Sequence, residues 1–550
     1  MHVVLSSLPE GDVRLTTLAA DGADFARADV HEVSRMSLAP LVRELERQHP
    51  RWVWSDTALW YPRLLEAGVT VARCVDLRLC HAILRASEMT ASSDLATAPS
   101  SGWDGPRTAP ASLGLFELES ASDDDPIAEF LLQQRALRQT DGRLGLLLAA
   151  ESAGALVAAE MTYAGVPWRA DEHERILAEM LGPRPFAGYR PSKLEAKLAE
   201  VRAALEVPEL NPDSPGELLK ALRGAGIAAE STRSWELSEI EHPAIEPLLE
   251  YKKLARLMTA NGWHWLDTWV AGGRFRPTYI PGGVVTGRWA SDGGGALQLP
   301  HQVRDAVRAD PGWTLVVADA AQLEPRILAA MAGDTAMARA GRGGDLYEGM
   351  VAAGAVETRQ QAKYGMLGAM YGGTTGESGR MLPRLARAFP RAIGLVEHAA
   401  RAGERGERVS TWLGRTSPAP SEAWRQSQDE ASDESASAAL RSSARNQARS
   451  WGRFTRNFVV QGTAAEWALS WMASVRMRLR QLHDGSLTDG PHLAFFLHDE
   501  VMVHTPKALA PQVADILEQA AADTGRLLFP GSPVDFRVTV AVVDSYADAK

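Results

Sequence analysis

Apolar residues recur along this chain with two periods, and the changes between them divide the sequence. Residues 1 to about 90 mix short apolar strand-like runs with a helix near 58–68, whereas 90–126, rich in Ser, Ala, Asp and Gly, read as a loop or flexible insert. Helical spacing then takes over. It predicts helices over 146–161 and 171–181, a Pro- and Gly-punctuated stretch at 182–191, and a long helical pair, 193–205 with 248–258, suited to a stalk-like unit. From Gly272 the pattern turns to strands and Gly-rich turns, then alternates strand and helix to the C-terminus. A second low-complexity stretch, 417–437, is acidic and rich in Ser and Ala, and reads as a surface insert.

Two apolar runs end in carboxylates. Thr314-Leu315-Val316-Val317-Ala318 is a continuous β-run closed by Asp319; Gln322-Leu323-Glu324-Pro325-Arg326 then opens a helix, its proline in the first turn, where a missing N–H costs nothing. Strand-end carboxylates are ordinarily turn formers. A second run changes that weighting: 492–497 and 501–504 are β-like and joined through His498-Asp499-Glu500, a hairpin tip that places Asp499 beside another strand end. Two carboxylates on two buried strands are what a metal-dependent phosphoryl-transfer site requires. Between them Arg359, Lys363, Leu367, Tyr371 and Gly372 recur at helical spacing. Arg359 and Lys363 share one helix face, either as an ordinary solvated basic pair or as a clamp for a triphosphate.

The chain has 550 residues, 45% of them apolar, enough for two to four packed units rather than a disordered chain. Only two cysteines, Cys74 and Cys80, and no run of ~18 apolar residues set the expectation of a reducing, cytoplasmic protein that spans no membrane. The net charge of -11 weakens the case for bulk electrostatic attraction to nucleic acid. Any such binding needs a local basic groove. Arg441, Arg445, Arg449, Arg453 and Arg456 form a candidate stripe at helical spacing, and it runs into the apolar and small segment Asn457-Phe-Val-Val-Gln461-Gly462-Thr-Ala-Ala465. For an isolated stripe, a solvated helix face is the slightly commoner meaning; leading into a helix with two amides, it suits contacts to backbone and bases.

These residues resemble the motifs of family A (DNA polymerase I-type) DNA polymerases. Asp319-Ala-Ala-Gln322-Leu-Glu324-Pro-Arg326 is similar to motif A (Asp-Tyr-Ser-Gln-Ile-Glu-Leu-Arg), Arg359 through Gly372 to motif B, and Leu497-His498-Asp499-Glu500 to motif C. Thr286-Gly287-Arg288 followed by Leu297-Gln298 resembles the Thr-Gly-Arg…Leu-Gln-Asn element, Arg453…Asn457…Gln461-Gly-Thr-Ala-Ala the corresponding helix, and the segment from Val538 to Tyr546 the terminal strand. The resemblance covers about 205–550.

It implies an α/β and α+β multidomain chain: an RNase H-like, exonuclease-like domain (1–185), then a right-hand polymerase with a helical thumb (186–271), a first palm part (272–332), helical fingers (333–452, with the 417–437 insert) and a second palm part of antiparallel sheet (453–550). It also implies two Mg²⁺ ions, with Mn²⁺ able to substitute, held by Asp319, Asp499 and the main-chain carbonyl of Ala320. One ion lowers the pKa of the primer 3′-hydroxyl and the other stabilises the leaving pyrophosphate. Glu500 lies beside them as a tuning carboxylate. Lys363, Arg359, Gln322, Leu367 and Tyr371 contact the incoming deoxynucleotide, and Glu324 excludes a 2′-hydroxyl, separating the chain from single-subunit RNA polymerases. Arg288, Gln298, Arg453, Asn457, Gln461 and His498 approach primer-template DNA, with Arg441, Arg445 and Arg449 on its backbone. A monomer associated with the nucleoid is expected. Leu367 stands where the family has an aromatic, Ala320-Ala321 replace Tyr-Ser and Pro325 replaces an apolar residue, without loss of a metal ligand.

The N-terminal third resembles the family's 3′–5′ exonuclease domain, with residues 54–68 and Val75-Asp76-Leu77 similar to its second-motif region. The nuclease chemistry needs Asp-x-Glu, a further Asp and Tyr-x-x-x-Asp. No Asp-x-Glu lies near the start, Trp60 stands at the second-motif aspartate and no Tyr-x-x-x-Asp precedes Leu146, so the expectation is a retained fold without nuclease activity. The length leaves no room for a 5′-nuclease domain. A bifunctional proofreading enzyme and a non-catalytic DNA-binding scaffold are the alternatives.

Overall fold

The computed structural model describes residues 1–549 other than 9–10, 22–23, 106–124, 187, 293, 296–298, 374–375 and 498. Their contacts form two compact units, one of Met1–Ala164, Thr278–Asp292 and Val316–Val542, the other of Gly165–Pro277, Gly293–Leu315 and Val543–Lys550.

The described residues of the first unit form two larger sheets and the antiparallel pair Thr278–Ile280 and Ala290–Asp292. In the N-terminal sheet, strands His2–Ser7, Val13–Asp21 and Asp24–Val33 form an antiparallel meander. The first of these also pairs parallel with Arg51–Trp54, which pairs parallel with Cys74–Asp76. The buried side chains Val3, Val4, Leu5, Trp52 and Trp54 show why these runs read as strands: apolar positions face packed layers. Helix Thr57–Glu66 is N-capped by Asp56, which accepts from the Ala58 N–H at 2.8 Å. Helix Arg143–Ala164 packs Leu156 into the same core. Among the described residues it is the one helix long and apolar enough to cross a bilayer by length and composition; Glu151, Ser152 and Glu160 interrupt its apolar run, and 72% of its most apolar stretch is buried inside the protein.

That helix also carries two buried acids, Glu151 and Glu160. Glu160 bonds Arg476 at 2.7 and 2.8 Å and accepts from the Tyr61 hydroxyl at 2.5 Å; Arg476 also donates to the carbonyls of Val71 and Ala72. Burial pushes the Glu160 carboxyl up, but the Arg476 charge and these hydrogen bonds outweigh it and hold it below the usual range.

The second sheet has the order His492–Leu497, Glu500–Pro506, Trp313–Ala320, Val538–Val543. Its first two strands are antiparallel, with an irregularity between Leu493 and Phe495. Elsewhere the expected alternation of strand and helix gives way to helices alone. From Leu323–Ala332 to the 42-residue Ala438–Leu479 the elements are helical, because their apolar residues recur on single faces that pack against one another. The stretch 417–437 carries structure of its own: helix Glu422–Ser432, N-capped by Ser421 and packed beside Ala438–Leu479, with none of its residues buried. Likewise 90–126 is not all loop. Helix Asp94–Thr97 buries Leu95 and a capping box at Ser101 and Asp104 buries Trp103, while 106–124 lies outside the described residues.

The second unit is a helical assembly around Ser192–Ala204 and Ile245–Asn261, which bring Leu194, Leu198 and Val201 together with Leu248 and Tyr251. Its small sheet, Val166–Pro167, Arg274–Phe275 and Val270–Ala271, lies by an aromatic cluster of Trp168, Trp265 and Phe275.

Candidate active site

Strand Trp313–Ala320 runs one residue beyond Asp319, and the Ala320 N–H donates to the Asp499 carbonyl at 2.9 Å. That hydrogen bond sets the two aspartates beside each other, with Asp499 at the hairpin turn and Asp319 one residue from the strand's end. Both side chains are half-buried, while Ala320 is buried. Glu500 starts the next strand, opposite Leu497, and is 2% exposed. His498 and Gln298 lie outside the described residues.

After the strand, Gln322 adopts left-handed backbone angles, φ 48° and ψ 48°, which turn the chain sharply into helix Leu323–Ala332. Its side-chain amide is engaged at both ends, donating to Asp345 at 3.1 Å and accepting from the Leu346 N–H at 3.2 Å. Glu324 in the first helical turn receives hydrogen bonds from Arg288 at 2.5 Å and from the Tyr371 hydroxyl at 2.9 and 3.1 Å. Burial, then the Glu324 charge and hydrogen bond, push the Tyr371 hydroxyl above its ordinary pKa; Asn457 bonds the same hydroxyl.

Helix Arg359–Tyr371 starts at the Thr358 cap and stops at Gly372, φ 78°, a left-handed position where a Cβ would meet the Arg453 side chain at 2.5 Å. Lys363 is exposed and Leu367 half-buried on it. Arg359 donates to Asp345 at 2.7 and 3.1 Å and lies over the Tyr347 ring at 5.8 Å. Burial raises the Asp345 carboxyl, but the Arg359 bond and the Glu348 N–H outweigh it and hold it low. Asp345 and Tyr347 went unremarked in the sequence. Asp345 also N-caps helix Leu346–Ala352, and an Asp before an apolar run is a local signal for that cap alone.

In the long helix, Arg441, Arg445, Arg449 and Arg453 are exposed. Arg441 donates to the carbonyls of Asp433 and Glu434, and Arg445 to that of Arg441. Arg456 departs from the expected stripe. It is buried, paired with Glu397 and donating to the Ala369 carbonyl at 2.8 Å, because this stretch of the long helix packs against helices Pro390–Glu404 and Arg359–Tyr371. Asn457 and Gln461 are half-buried, and Gln461 accepts from the Thr286 hydroxyl at 3.0 Å.

The sequence profile described as DNA polymerase family A matches residues 191–548. The chain belongs to DNA polymerase family A. It is similar to the thermostable DNA polymerase I of Thermus filiformis, 26% identical over 414 residues (69% of this chain, 41% of that protein), and to that of Thermus aquaticus, 25% identical over 415 residues (69% and 44%). The chain thus spans less than half the length of these curated relatives. Among solved structures, the POL domain of Pol1 from M. smegmatis, in complex with DNA primer-template and dNTP, shares the fold: TM-score 0.69 at 17% identity, covering 100% of this chain and 96% of that one. The family A polymerase fold, with its mixed α and β content, is therefore the fold of this chain.

Family A polymerases are metal-dependent, and the donor set can be tested against that need. The Asp319 and Asp499 carboxylates and the Ala320 carbonyl offer hard oxygen donors. Among the described residues no group of three or more His, Cys, Asp or Glu converges. Two carboxylates and a carbonyl would leave half of an octahedral shell to water and phosphate oxygens, which fits a hard cation such as Mg²⁺ and does not fit a closed zinc site.

Proposed function

We propose that this protein is a template-directed DNA polymerase that extends a primer 3′ end with deoxynucleotides on Mg²⁺, with Mn²⁺ able to substitute. The observation that carries the reading is the Ala320–Asp499 backbone hydrogen bond, which brings the chain at Asp319 beside that at Asp499. The primer 3′-oxygen forms a bond to the α-phosphorus, the α–β bridging P–O bond breaks and pyrophosphate leaves. Asp319, the Ala320 carbonyl and Asp499 would hold the cations, which when bound would acidify the hydroxyl and neutralise charge on the leaving group. Lys363 and Arg359 bind the triphosphate, Arg359 exchanging its Asp345 partner for phosphate oxygens. Tyr371 offers a face to the base, and Glu324 occupies the space a ribose 2′-hydroxyl needs. Arg288, Asn457 and Gln461 contact the duplex. The experiment is primer extension by Asp319→Ala: abolition is expected, and full extension with Mg²⁺ and deoxynucleotides would refute the reading.

The N-terminal domain is proposed as exonuclease-like and inactive. Its strand order, three antiparallel strands followed by two parallel ones, supports an RNase H-like fold. Its nearby acids serve as helix caps: Asp56 bonds the Ala58 N–H, and Asp76 the N–H groups of Thr57 and Leu79. Trp60 is 9% exposed and donates to Ser55. A 5′-labelled single strand should remain intact without nucleotides; its shortening from the 3′ end would restore the proofreading alternative. The thumb, palm and fingers boundaries, a monomeric state and a cytoplasmic, nucleoid-associated location belong to the same proposal.

A further inference from the structure

Behind the turn that carries Arg288 lies a buried charge cluster to which no role has so far been given. Arg415 is paired with Glu151, their side chains 12% and 0% exposed. The guanidinium lies flat against the backbone at Gly287. That residue has φ +84°, and a Cβ on it would meet Arg415 Nε at 2.6 Å, Cζ at 2.9 Å and Nη2 at 3.0 Å. Only glycine permits this approach, both for its left-handed angle and for the space.

Each end of the contact is held independently. On one side the loop around Arg415 is closed by two hydrogen bonds between Thr411 and Arg415, the Arg415 N–H donating to the Thr411 hydroxyl at 2.9 Å and the Thr411 N–H to the Arg415 carbonyl at 2.8 Å. Buried Glu466 of the long helix anchors that loop, accepting from the Thr411 hydroxyl and from the Leu413 N–H at 3.0 Å. On the other side the turn is closed by Gly287 N–H to the Val284 carbonyl at 2.8 Å and Val284 N–H to the Arg288 carbonyl at 3.1 Å, and Thr286 bonds Gln461. The Arg288 side chain leaves this turn toward Glu324.

We propose that Arg415 is a positioning residue for Arg288, and that Glu151 holds Arg415 against the turn. The N-terminal domain then contributes to polymerisation as a brace, through helix Arg143–Ala164, without chemistry of its own. A guanidinium wedged behind a turn fixes where the turn's side chain points; displacement of a reacting or binding group by about 1 Å can cost ~10²-fold in rate. Neutral Gln at 151 keeps the shape and an acceptor oxygen but removes the charge that holds the fork. Lys at 415 keeps the charge and loses the flat fork that meets Gly287.

The inference rests on the reading of Arg288 as a primer-end contact, and the test separates the two. Single-nucleotide incorporation is measured on one primer-template for the wild type, Arg415→Gln, Arg415→Lys, Glu151→Gln, Arg288→Ala and the Arg288→Ala/Arg415→Gln double variant. Arg415→Gln is expected to lower kcat/KM about 10- to 100-fold, with Glu151→Gln and Arg415→Lys between it and the wild type. The double variant should be no worse than Arg288→Ala alone; losses that multiply would overturn the proposal. Amide hydrogen exchange over 284–288 serves as the readout without activity, and applies also if the wild type proves unable to extend primers, an outcome that would sink the polymerase reading alone. Exchange at least ~10-fold faster in Arg415→Gln or Glu151→Gln is expected. Unchanged exchange in both folded variants would overturn the positioning role.

Discussion

The Tyr371 hydroxyl donates to both oxygens of Glu324, at 2.9 and 3.1 Å, so the last residue of the basic helix is tied to the first turn after Asp319. Arg288 bonds the same carboxylate at 2.5 Å. Glu324 is thereby held by two partners, and the proposed function gives it the space of a ribose 2′-hydroxyl. Glu324→Ala should remove that obstacle and cut the preference for deoxy- over ribonucleotides by about 10²-fold. Competing incorporation of dATP and ATP measures it, and an unchanged ratio would count against the assignment.

Arg359 makes a charge-assisted bond to Asp345, a partner that phosphate oxygens can replace. Truncation to Ala removes a forked donor worth ~1.5–3 kcal/mol. KM for the nucleotide should rise about 10- to 100-fold, while KM for primer-template should stay within about twofold. Steady-state titrations of each substrate decide it, and an equal rise in both would point to a general folding defect.

Glu160 and Arg476 form a buried pair that joins the long helix to helix Arg143–Ala164. Changing one partner strands the other, so Arg476→Met should destabilise the first unit by ~3–5 kcal/mol. Arg476→Met with Glu160→Met should recover part of that loss. Denaturant unfolding followed by tryptophan fluorescence reports both. Because the folded Glu160 pKa is lowered, the pair's contribution is present above the unfolded carboxyl pKa and declines as pH falls through the folded value.

Glu466 behaves in the opposite sense. Burial, with Glu151's charge adding to it, raises its carboxyl from 4.5 to about 7. The folded state then binds the proton more tightly than the unfolded state. Stability associated with this group is full below about pH 4.5 and is lost as pH rises through about 7, by on the order of 3 kcal/mol. Glu466→Gln, which can still accept from Leu413 and donate to Thr411, should flatten that dependence. Melting temperatures of both proteins from pH 5 to 8 test it: parallel curves would show that Glu466 does not titrate there.

Despite the net charge of -11, DNA affinity should fall steeply with salt, because only the local groove contributes. Replacing exposed Arg441, Arg445 and Arg449 by Ala should reduce the magnitude of the slope of log K against log salt by about 2–3. A slope equal to the wild type's would place these arginines away from the phosphates.

Much of this site could be read in one dimension. The strand before Asp319, the hairpin around Asp499 and the helix from Arg359 to Tyr371 follow from apolar period, turn residues and caps, which act over a few positions. The order of the motifs likewise assigns the chain to its family. Periodicity cannot say which faces meet. Arg441, Arg445, Arg449, Arg453 and Arg456 look like one stripe, yet Arg456 turns inward to Glu397 because packing, not spacing, selects the buried face. Glu422–Ser432 is helical although its composition resembles an unstructured insert, since a long neighbouring helix supplies the surface it lies on. Asp345 beside Arg359, Arg415 behind Gly287 and the Ala320–Asp499 hydrogen bond depend on segments distant in sequence. The sequence by itself determined the local elements and the chemical groups each could present. Tertiary structure alone decided which groups were brought together, because burial and hydrogen bonding act through space between residues whose separation along the chain carries no record of their contact.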